Sequence, residues 1–442
     1  MPLIKPGEES VIWSGPAPLS PHAGAADSGA IAWAEARGLC QDAAELRNLS
    51  RIRPGLLAGY SHPEATEADL TLTARWMAWL FLLDDLVDEG ELGRDAALLE
   101  KHLHGLQNAA LGTGIGADAA PIAARPMSRA LAEIITEASA GMSDAWQLRF
   151  RGHVSGYLSA CVWQAAHRQA AQFPAPDAFP HWRRAFGAIM PSFDLIERTD
   201  GGALPPSVYY SRPYQDLLIA AADLVCWTND LMTVDKEAAQ GDLHNLVLVT
   251  AHDRLQDLPT AAAEVSAACE QRIRTYMSAR GELSTLTAAL DLPDATRHHA
   301  DRCAESLRVW IRGHLEWGRF TPRYQFEPPD GGHDGRRRRH IEHRAERATG
   351  RRTTVQPMQE PSMPEHSMPE HSMPEQPISD QPAPDQPMPQ QPIPQPVSPP
   401  PAHPAAHPPG HPPPHPATQP AAHPPTPPTA HTAVRTARES LA

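Results

Sequence analysis

The hydrophobic and polar positions along this chain repeat with the period of α-helices. Apolar residues recur at intervals of three and four, and glycine or proline residues separate the segments that show this pattern. No segment alternates convincingly between apolar and polar residues, as a half-buried strand would. We therefore expect an all-α bundle. The predicted helices are Ile31–Gly38, Thr66–Glu89, Arg94–Leu106, Pro126–Ala138, Ala145–Gln172, Trp182–Ile196, Tyr214–Gln240, Leu243–Arg254, Ala262–Arg280 and Asp294–Trp317.

The helical pattern stops short of both ends of the chain. Residues 1–25 are rich in Pro, Ser and Gly, which predicts an extended N-terminal arm. Most of the 49 prolines follow Gln356. Proline removes backbone donors, and few large apolar residues remain there to offset the entropy cost of ordering. We expect one folded domain at residues 26–328 and a disordered Pro/His-rich tail at residues 329–442.

The charge, the cysteines and the N-terminal sequence indicate which partners and which location the protein has. The chain of 442 residues has 38 basic and 52 acidic side chains, a formal charge of −14, which argues against nucleic-acid binding. Its five cysteines are widely spaced without CxxC pairs, as reduced core thiols would be. The N-terminus lacks the pattern of a signal peptide, and we expect no apolar stretch of membrane-spanning length. These features predict a soluble cytoplasmic protein without nucleic-acid or membrane partners.

An acidic cluster directly follows the apolar run Trp76–Leu83, at the end of a predicted helix. The C-terminus of a helix carries partial negative charge, so carboxylates there cost free energy unless a cation binds between them. A solvated helix cap is the alternative interpretation, but a solvated cap seldom continues an apolar face. Clustered oxygen ligands suit Mg²⁺. The four carboxylates are Asp84, Asp85, Asp88 and Glu89.

A second polar constellation lies within the predicted helix Tyr214–Gln240. Asn229, Thr233 and Glu237 are four residues apart, so they line one helix face over two turns. Their amide, hydroxyl and carboxylate oxygens form a less charged site, suited to a cation that arrives with a phosphate-bearing substrate. A hydrogen-bonded polar seam between helices is the alternative.

Both constellations resemble motifs of the bacterial class I terpene synthases. The acidic cluster is similar to the aspartate-rich motif, either as DDxxD through Asp88 or as DDxxxE through Glu89. The second constellation is similar to the ND(L/I/V)x(S/T)xxxE triad, with the usual lysine at Lys236. Two further features match the family: Arg183 with Gly187 four residues later, upstream of the triad, and the pair Arg323-Tyr324. In the family the arginine matched by Arg183 senses the diphosphate, and Arg184, next to Arg183, is the alternative candidate for that role.

The resemblance covers roughly residues 31–324 and implies the fold of the class I terpenoid synthase bundle. It implies that Arg183, Lys236, Arg323 and Tyr324 bind a diphosphate, and that Asp84, Arg183 and Gly187 take part in catalysis. It also implies three Mg²⁺ ions, with Mn²⁺ as a substitute. The ligands would be Asp84, Asp85, Asp88, Glu89, Asn229, Thr233 and Glu237. Asp85 could instead pair with Arg183 when the site closes, and Asp88 and Glu89 compete for the remaining ligand role.

The implied activity is ionisation of a prenyl diphosphate and cyclisation of the resulting carbocation. We expect farnesyl diphosphate as substrate, with geranyl and geranylgeranyl diphosphate as alternatives. A prenyl-chain elongase or a non-catalytic binding module are the rival functions, and a homodimer is one assembly to test. Aromatic side chains would shield the carbocation. The candidates are Trp76, Phe81, Tyr157, Trp163, Phe193, Trp227 and Trp317.

Overall fold

The computed structural model describes residues 17–89, 92–113 and 124–324, without the side chains of residues 88 and 89. Within these ranges the regular structure is helical and no strand occurs, which confirms the predicted all-α class. The predicted tail, most of the predicted arm and residue 90 lie outside the described residues. The helices are α1 Ala23–Ala36, α2 Ala43–Ile52, α3 Pro54–Ser61, α4 Glu67–Glu89, α5 Ala96–Leu111, α6 Arg125–Ser139, α7 Asp144–Ala170, α8 Phe179–Phe186, α9 Ile189–Thr199, α10 Pro206–Tyr209, α11 Arg212–Gln240, α12 Leu246–Arg254, α13 Leu258–Ala289 and α14 Asp294–Gly318, with short 3-10 helices at Leu92–Arg94 and Pro322–Tyr324.

Helix α4 carries the acidic cluster at its carboxyl end, as predicted. Its first turn is capped by Thr66, whose hydroxyl donates to the Asp69 carboxylate at 2.8 Å and accepts from the Asp69 amide at 3.2 Å. Trp76 and Trp79 are fully buried in the middle of the helix and stack with ring centroids 5.6 Å apart. No basic residue lies in the last turn, so the helix itself offers its acids no counter-charge.

Helix α11 carries the second constellation through the centre of the bundle. Its start is capped by the Ser211 hydroxyl, which accepts from the Tyr214 amide, and its end by Gly241 in the left-handed conformation at φ 72°. By length and composition α11 could cross a membrane, so our expectation that no such stretch exists is wrong. The most apolar window of α11 is 78% buried, because α13 and α14 pack against it. Helix α11 is therefore a core helix of the bundle.

The helices differ from the sequence prediction in several places. Helices α2, α3 and α10 were not predicted, and α13 extends nine residues beyond the predicted Arg280. Helix α3 is buried along nearly its whole length, so it shows no polar face to give a helical period. Helix α1 begins at Ala23, three residues inside the predicted arm. The predicted helix Trp182–Ile196 is two helices, α8 and α9, because Ala188 adopts φ 51° between them.

The five cysteines are free thiols, as predicted. Four of them are buried, and Cys40 is partly exposed. Burial raises the pKa of Cys226 to about 12 and that of Cys40 to about 11, so both are protonated at neutral pH. They therefore act as small apolar side chains and not as nucleophiles.

Candidate active site

A cavity of about 1110 Å³, counting the space at its mouth, opens among α4, α8, α11 and α14. Side chains from both predicted motifs line it, together with apolar side chains from the same helices. Asp84 comes from the acidic cluster, and the triad contributes all three of its members. The fold therefore brings together residues that lie far apart in the sequence. The apolar and aromatic part of the lining includes Leu57, Met77, Leu80, Phe81, Tyr157, Phe186, Ile189, Val225, Trp310 and Trp317.

Asp84 and Asp85 share one cation, the guanidinium of Arg323. One terminal nitrogen of Arg323 donates to Asp84 and the other donates to Asp85. The same guanidinium lies 5.1 Å from the ring centroid of Phe81, and Asn48 approaches Asp85 at 3.5 Å. Arg183 donates to Asp230 and Asn229 in this structure, so its pairing with Asp85 on closure stays a prediction. The side chains of the two remaining acids, residues 88 and 89, lie outside the described part of the chain.

Asn229, Thr233 and Glu237 line the cavity from one face of α11, as their spacing predicts. The Asn229 Oδ1 accepts from Arg183 at 2.8 Å, and its Nδ2 donates to the Tyr324 hydroxyl at 2.5 Å. The Thr233 hydroxyl donates to the Asn229 backbone carbonyl at 2.9 Å. These bonds hold the side chains in place through groups that are themselves part of the site.

Glu237 is a carboxylate with little compensating positive charge. Its described hydrogen bond is to Asn245 Nδ2 at 2.8 Å. Burial, followed by the charges of Asp230 and Asp242, raises the pKa of Glu237 to about 8. A cation beside this carboxylate would stabilise its charged form.

Arg183 is the buried arginine of the site, only 8% exposed. Its Nε donates to Asp230 at 2.8 Å, which adds to its bond with Asn229. Burial would lower the pKa of Arg183, but the charge of Asp230 outweighs it and raises that pKa above its ordinary value. A Cβ at Gly187 would lie 2.8 Å from the Arg183 guanidinium, so glycine provides the space that this side chain occupies.

Arg184 is not among the cavity-lining residues, whereas Arg183 is. It donates to Asp223 at 2.5 Å, and Arg272 pairs with the other oxygen of this fully buried carboxylate at 2.8 Å. The structure thus separates two consecutive arginines: one faces the cavity, and its neighbour fastens α8 to α11 and α13.

The remaining predicted residues lie at the carboxyl end of α11 and the 3-10 helix after α14. Lys236 Nζ donates to the Arg323 backbone carbonyl at 3.1 Å. The Tyr324 hydroxyl contacts Asn229 and also His314 Nε2, at 3.0 Å. Burial raises the pKa of Tyr324 above its ordinary value, so the phenol keeps its proton.

The aromatic predictions hold for three of the seven candidates. Phe81, Tyr157 and Trp317 line the cavity, whereas Trp76, Trp163, Phe193 and Trp227 are not among its lining residues. Trp76 is a core residue that donates to Ser192 at 3.0 Å. Phe186 and Trp310 line the cavity but were not predicted. Apolar periodicity marks a residue as inward, but it does not distinguish a closed core from a cavity wall.

Sequence reasoning also missed several polar residues around the cavity, among them Asn245, Asp242 and His314. Asn245 connects Glu237 to the Asp230 carbonyl, and Asp242 is paired with Arg168 at 2.8 Å. His314 is 4% exposed and lies on the same face of α14 as Trp310 and Trp317. Trp310, His314 and Trp317 are four and then three residues apart in the predicted helix Asp294–Trp317, which places them on one helix face. This spacing was the signal by which the sequence could have identified His314.

The donor set fits a divalent cation with a preference for oxygen. Carboxylate, amide and hydroxyl oxygens are the ligands that Mg²⁺ takes. Asp84 and Asp85 already hold a cationic group, whereas among the residues described in the structure no cation forms an ion pair with Glu237. In the part of the chain that the structure describes, which leaves out the side chains of residues 88 and 89, no three His, Cys, Asp or Glu side chains lie together.

Comparison with known proteins identifies the class that this fold and site define. Residues 75–275 match the model of terpene synthase family 2, C-terminal metal binding. This range includes the acidic cluster, Arg183 and the triad, so the motifs lie within the matched segment. The chain is 70% identical over 322 residues to (-)-delta-cadinene synthase of Streptomyces clavuligerus, covering 73% of this chain and 96% of that protein. It belongs to the terpene synthase family.

Two further likenesses support this membership. The chain is 32% identical over 314 residues to the (+)-T-muurolol synthase of Roseiflexus castenholzii, which covers 69% of this chain and 90% of that protein. Among solved structures, a cucumene synthase variant matches with a TM-score of 0.63 and 30% identity, over 71% of this chain and 99% of that one. The chain is therefore a terpene synthase with the class I bundle, and as a member of this family it binds a prenyl diphosphate together with divalent metal.

Proposed function

We propose that this protein cyclises farnesyl diphosphate to a cadinane-type sesquiterpene hydrocarbon and releases diphosphate. The observation that carries the proposal is one cavity in which carboxylate, amide and hydroxyl oxygens and three basic side chains adjoin an apolar, aromatic wall. A diphosphate with its metal suits the polar part, and a prenyl chain suits the apolar part. The relatives agree in substrate class: the T-muurolol synthase is named as cyclising (2E,6E)-farnesyl diphosphate, and the 70% identical relative is named for delta-cadinene.

The metal would be Mg²⁺, with three ions per site and Mn²⁺ as a substitute. Asp84, Asp85 and one or both of Asp88 and Glu89 would hold part of this metal, and Asn229, Thr233 and Glu237 the rest. When bound, the ions neutralise the charge of the diphosphate as it leaves. Arg323 would leave the two aspartates as they bind metal, and its guanidinium would then be available to the diphosphate.

The basic residues of the chain would hold the leaving diphosphate. Arg183, Lys236 and Arg323 provide positive charge, and Tyr324 provides a neutral donor. Because Arg183 is buried and fixed by Asp230, its charge is positioned before the substrate arrives, so little reorganisation is needed as the carbon–oxygen bond breaks. Gly187 leaves space for that guanidinium. Asp84, Arg183 and Gly187 are therefore the residues that we assign to ionisation.

The aromatic wall would stabilise and shield the carbocation. Phe81, Trp310 and Trp317 line the cavity, where aromatic rings can attract cationic carbon and offer no nucleophile that could trap it. Burial and the charge of Arg183 lower the pKa of His314 to about 3, so this side chain is neutral and adds no repulsive charge. Transfer of a proton from the final carbocation to the released diphosphate would then form the last double bond.

Product analysis with three substrates tests the proposal. Purified protein with Mg²⁺ and geranyl, farnesyl or geranylgeranyl diphosphate should give its highest turnover with the farnesyl substrate. Chiral gas chromatography with mass spectrometry should identify a cadinane hydrocarbon. Turnover confined to another chain length would make the protein a monoterpene or diterpene synthase. Longer diphosphates on adding isopentenyl diphosphate would instead show an elongase.

Two substitutions test the rival of a non-catalytic binding module. Asp84→Asn and Asn229→Ala should each reduce diphosphate release by two orders of magnitude or more, because each removes a ligand of the leaving-group site. If both variants release diphosphate at the wild-type rate, the enzymatic proposal fails. Asp88→Asn and Glu89→Gln, measured separately, assign the remaining metal ligand.

Assembly and location complete the proposal. We place the enzyme in the cytoplasm, because prenyl diphosphates are soluble anions and the most apolar window of α11 is 78% buried inside the bundle. We propose a homodimer, which sedimentation of the full chain would test. A monomer across the working concentration range would rule it out.

A further inference from the structure

Two side chains of the cavity lie within hydrogen-bond distance of the Tyr324 hydroxyl. Asn229 Nδ2 lies 2.5 Å from the phenolic oxygen, and His314 Nε2 lies 3.0 Å from it. The orientation of Asn229 is determined by its other bond, because its Oδ1 accepts from Arg183 at 2.8 Å. The Asn229 amide nitrogen therefore donates to Tyr324 and fills one of the two acceptor positions of the phenolic oxygen.

The tautomer of His314 decides whether its Nε2 donates to the Tyr324 oxygen or accepts the Tyr324 O–H. His314 is 4% exposed, and its Nδ1 is buried without a hydrogen-bond partner. A proton on Nδ1 would leave a buried N–H donor unpaired, which is rarer and costlier than an unpaired acceptor. We therefore assign the proton to Nε2, from which it is donated to the Tyr324 oxygen.

With both acceptor positions filled, the Tyr324 O–H has to donate to a third group. Tyr324 lines the cavity beside Arg323 and Asn229, where the proposed function places the diphosphate. We propose that His314 is a positioning residue, whose Nε2–H directs the Tyr324 hydroxyl proton toward the diphosphate of the substrate. This inference rests on the proposed function and adds a residue that acts through Tyr324.

The surroundings of His314 keep its ring in one orientation. The Trp310 ring lies nearly parallel to the imidazole, at a centroid distance of 6.1 Å and an angle of 17°. Trp317 approaches it at 6.2 Å, and the ring of Tyr324 itself lies 6.0 Å away. Because these rings limit rotation, the hydrogen bond to Tyr324 is formed before substrate binds, which reduces the reorganisation cost at ionisation.

Paired substitutions test this role. His314→Gln retains an N–H close to the position of Nε2, whereas His314→Asn retains polarity only near Nδ1. The readout is the dissociation constant of inorganic pyrophosphate with Mg²⁺, measured by calorimetry, beside kcat and KM with farnesyl diphosphate. We expect about tenfold weaker pyrophosphate binding for the Asn variant, the effect of one lost directed hydrogen bond, and a loss of less than about threefold for the Gln variant. Equal losses in both variants would overturn the proposal.

A double-mutant cycle separates positioning from a structural role. In a Tyr324→Phe background, His314→Asn should change pyrophosphate affinity by less than about twofold, since the hydroxyl that it directs is gone. A full, additive loss would overturn the inference. His62→Gln, at a buried histidine bonded to Thr199 at 3.2 Å, is the matched control and should leave pyrophosphate affinity unchanged. If His314→Asn does not fold, His314→Phe keeps the ring packing and replaces it in the cycle.

The two proposals fail in different ways. A wild-type enzyme that forms no sesquiterpene but shows a non-additive cycle would refute the cyclase function and leave the role of His314 in pyrophosphate binding intact. A wild-type enzyme that forms sesquiterpene with an additive cycle would refute only the role of His314. Absence of measurable pyrophosphate binding in the wild type would overturn only the role of His314, because the cyclase function is judged by its product.

Discussion

Gly187→Ala tests how much of the site depends on space for one guanidinium. The backbone at Gly187 has φ −76°, which alanine adopts freely, so the effect of the substitution is steric. The added Cβ would lie 2.8 Å from an Arg183 terminal nitrogen and 3.0 Å from the Arg183 carbonyl, where ordinary contact begins at 3.4 Å. The guanidinium therefore has to move by roughly 0.6 Å.

That displacement is large compared with the tolerance of a hydrogen bond. Arg183 reaches Asp230 and Asn229 at 2.8 Å each, and a shift of this size breaks or misaligns one of the two bonds. A charge-assisted hydrogen bond is worth about 1.5–3 kcal/mol. If the loss falls on the transition state, kcat should decrease by roughly 10- to 150-fold.

The assay is diphosphate release from farnesyl diphosphate at saturating Mg²⁺, with thermal unfolding of each variant. Gly156→Ala is the matched control, because a Cβ at this exposed position of α7 meets nothing within 4 Å. The control should keep full activity and gain up to about 1 kcal/mol of stability from helix propensity. A Gly187→Ala enzyme whose kcat is within twofold of wild type would refute the steric argument.

Three further predictions follow from single features. Arg184→Ala should lower the free energy of unfolding by about 1.5–3 kcal/mol and leave kcat near the wild-type value, because the buried Asp223 keeps Arg272 as a partner. Arg183→Ala should lower both the stability and kcat, because it leaves the buried Asp230 without its cation and removes a basic group from the cavity; turnover assays beside denaturant titrations of both variants separate the two roles. Burial lowers the pKa of His62 to about 4. Between pH 6.5 and 4 the His62 ring therefore stays neutral in the folded protein but is protonated in the unfolded chain. As the pH falls from 6.5 to 4, the free energy of unfolding should therefore decrease by up to about 1.4 kcal/mol per pH unit because of His62. His62→Gln should flatten this part of the plot of stability against pH, and an unchanged plot would contradict the assigned role of His62. Removal of all residues after Asp330 should leave turnover within about twofold of wild type, since alignment with the 70% identical relative spans 322 residues of this chain, and a large loss of turnover would show that the tail supports the active site.

The sequence by itself determined the helical class and the two motif helices. The periods of three and four residues, the cap at Thr66 and the stop at Gly241 are local signals, and α4 and α11 follow them closely. The position of each triad residue on one face of α11 also follows from local geometry alone. Local signals were sufficient because a residue's place along a helix depends on its near neighbours in the chain.

The tertiary structure decided which side chains meet. Only packing shows that Arg183 faces the cavity while Arg184 faces Asp223, because consecutive residues differ by about 100° around a helix whose orientation the sequence does not give. The pairing of Arg323 with Asp84 and Asp85, and of His314 with Tyr324, joins separate elements and leaves no periodic trace. A cavity wall and a closed core are equally apolar in sequence. The difference between Trp317, which lines the cavity, and Trp76, which is packed in the core, therefore belongs to the assembled bundle.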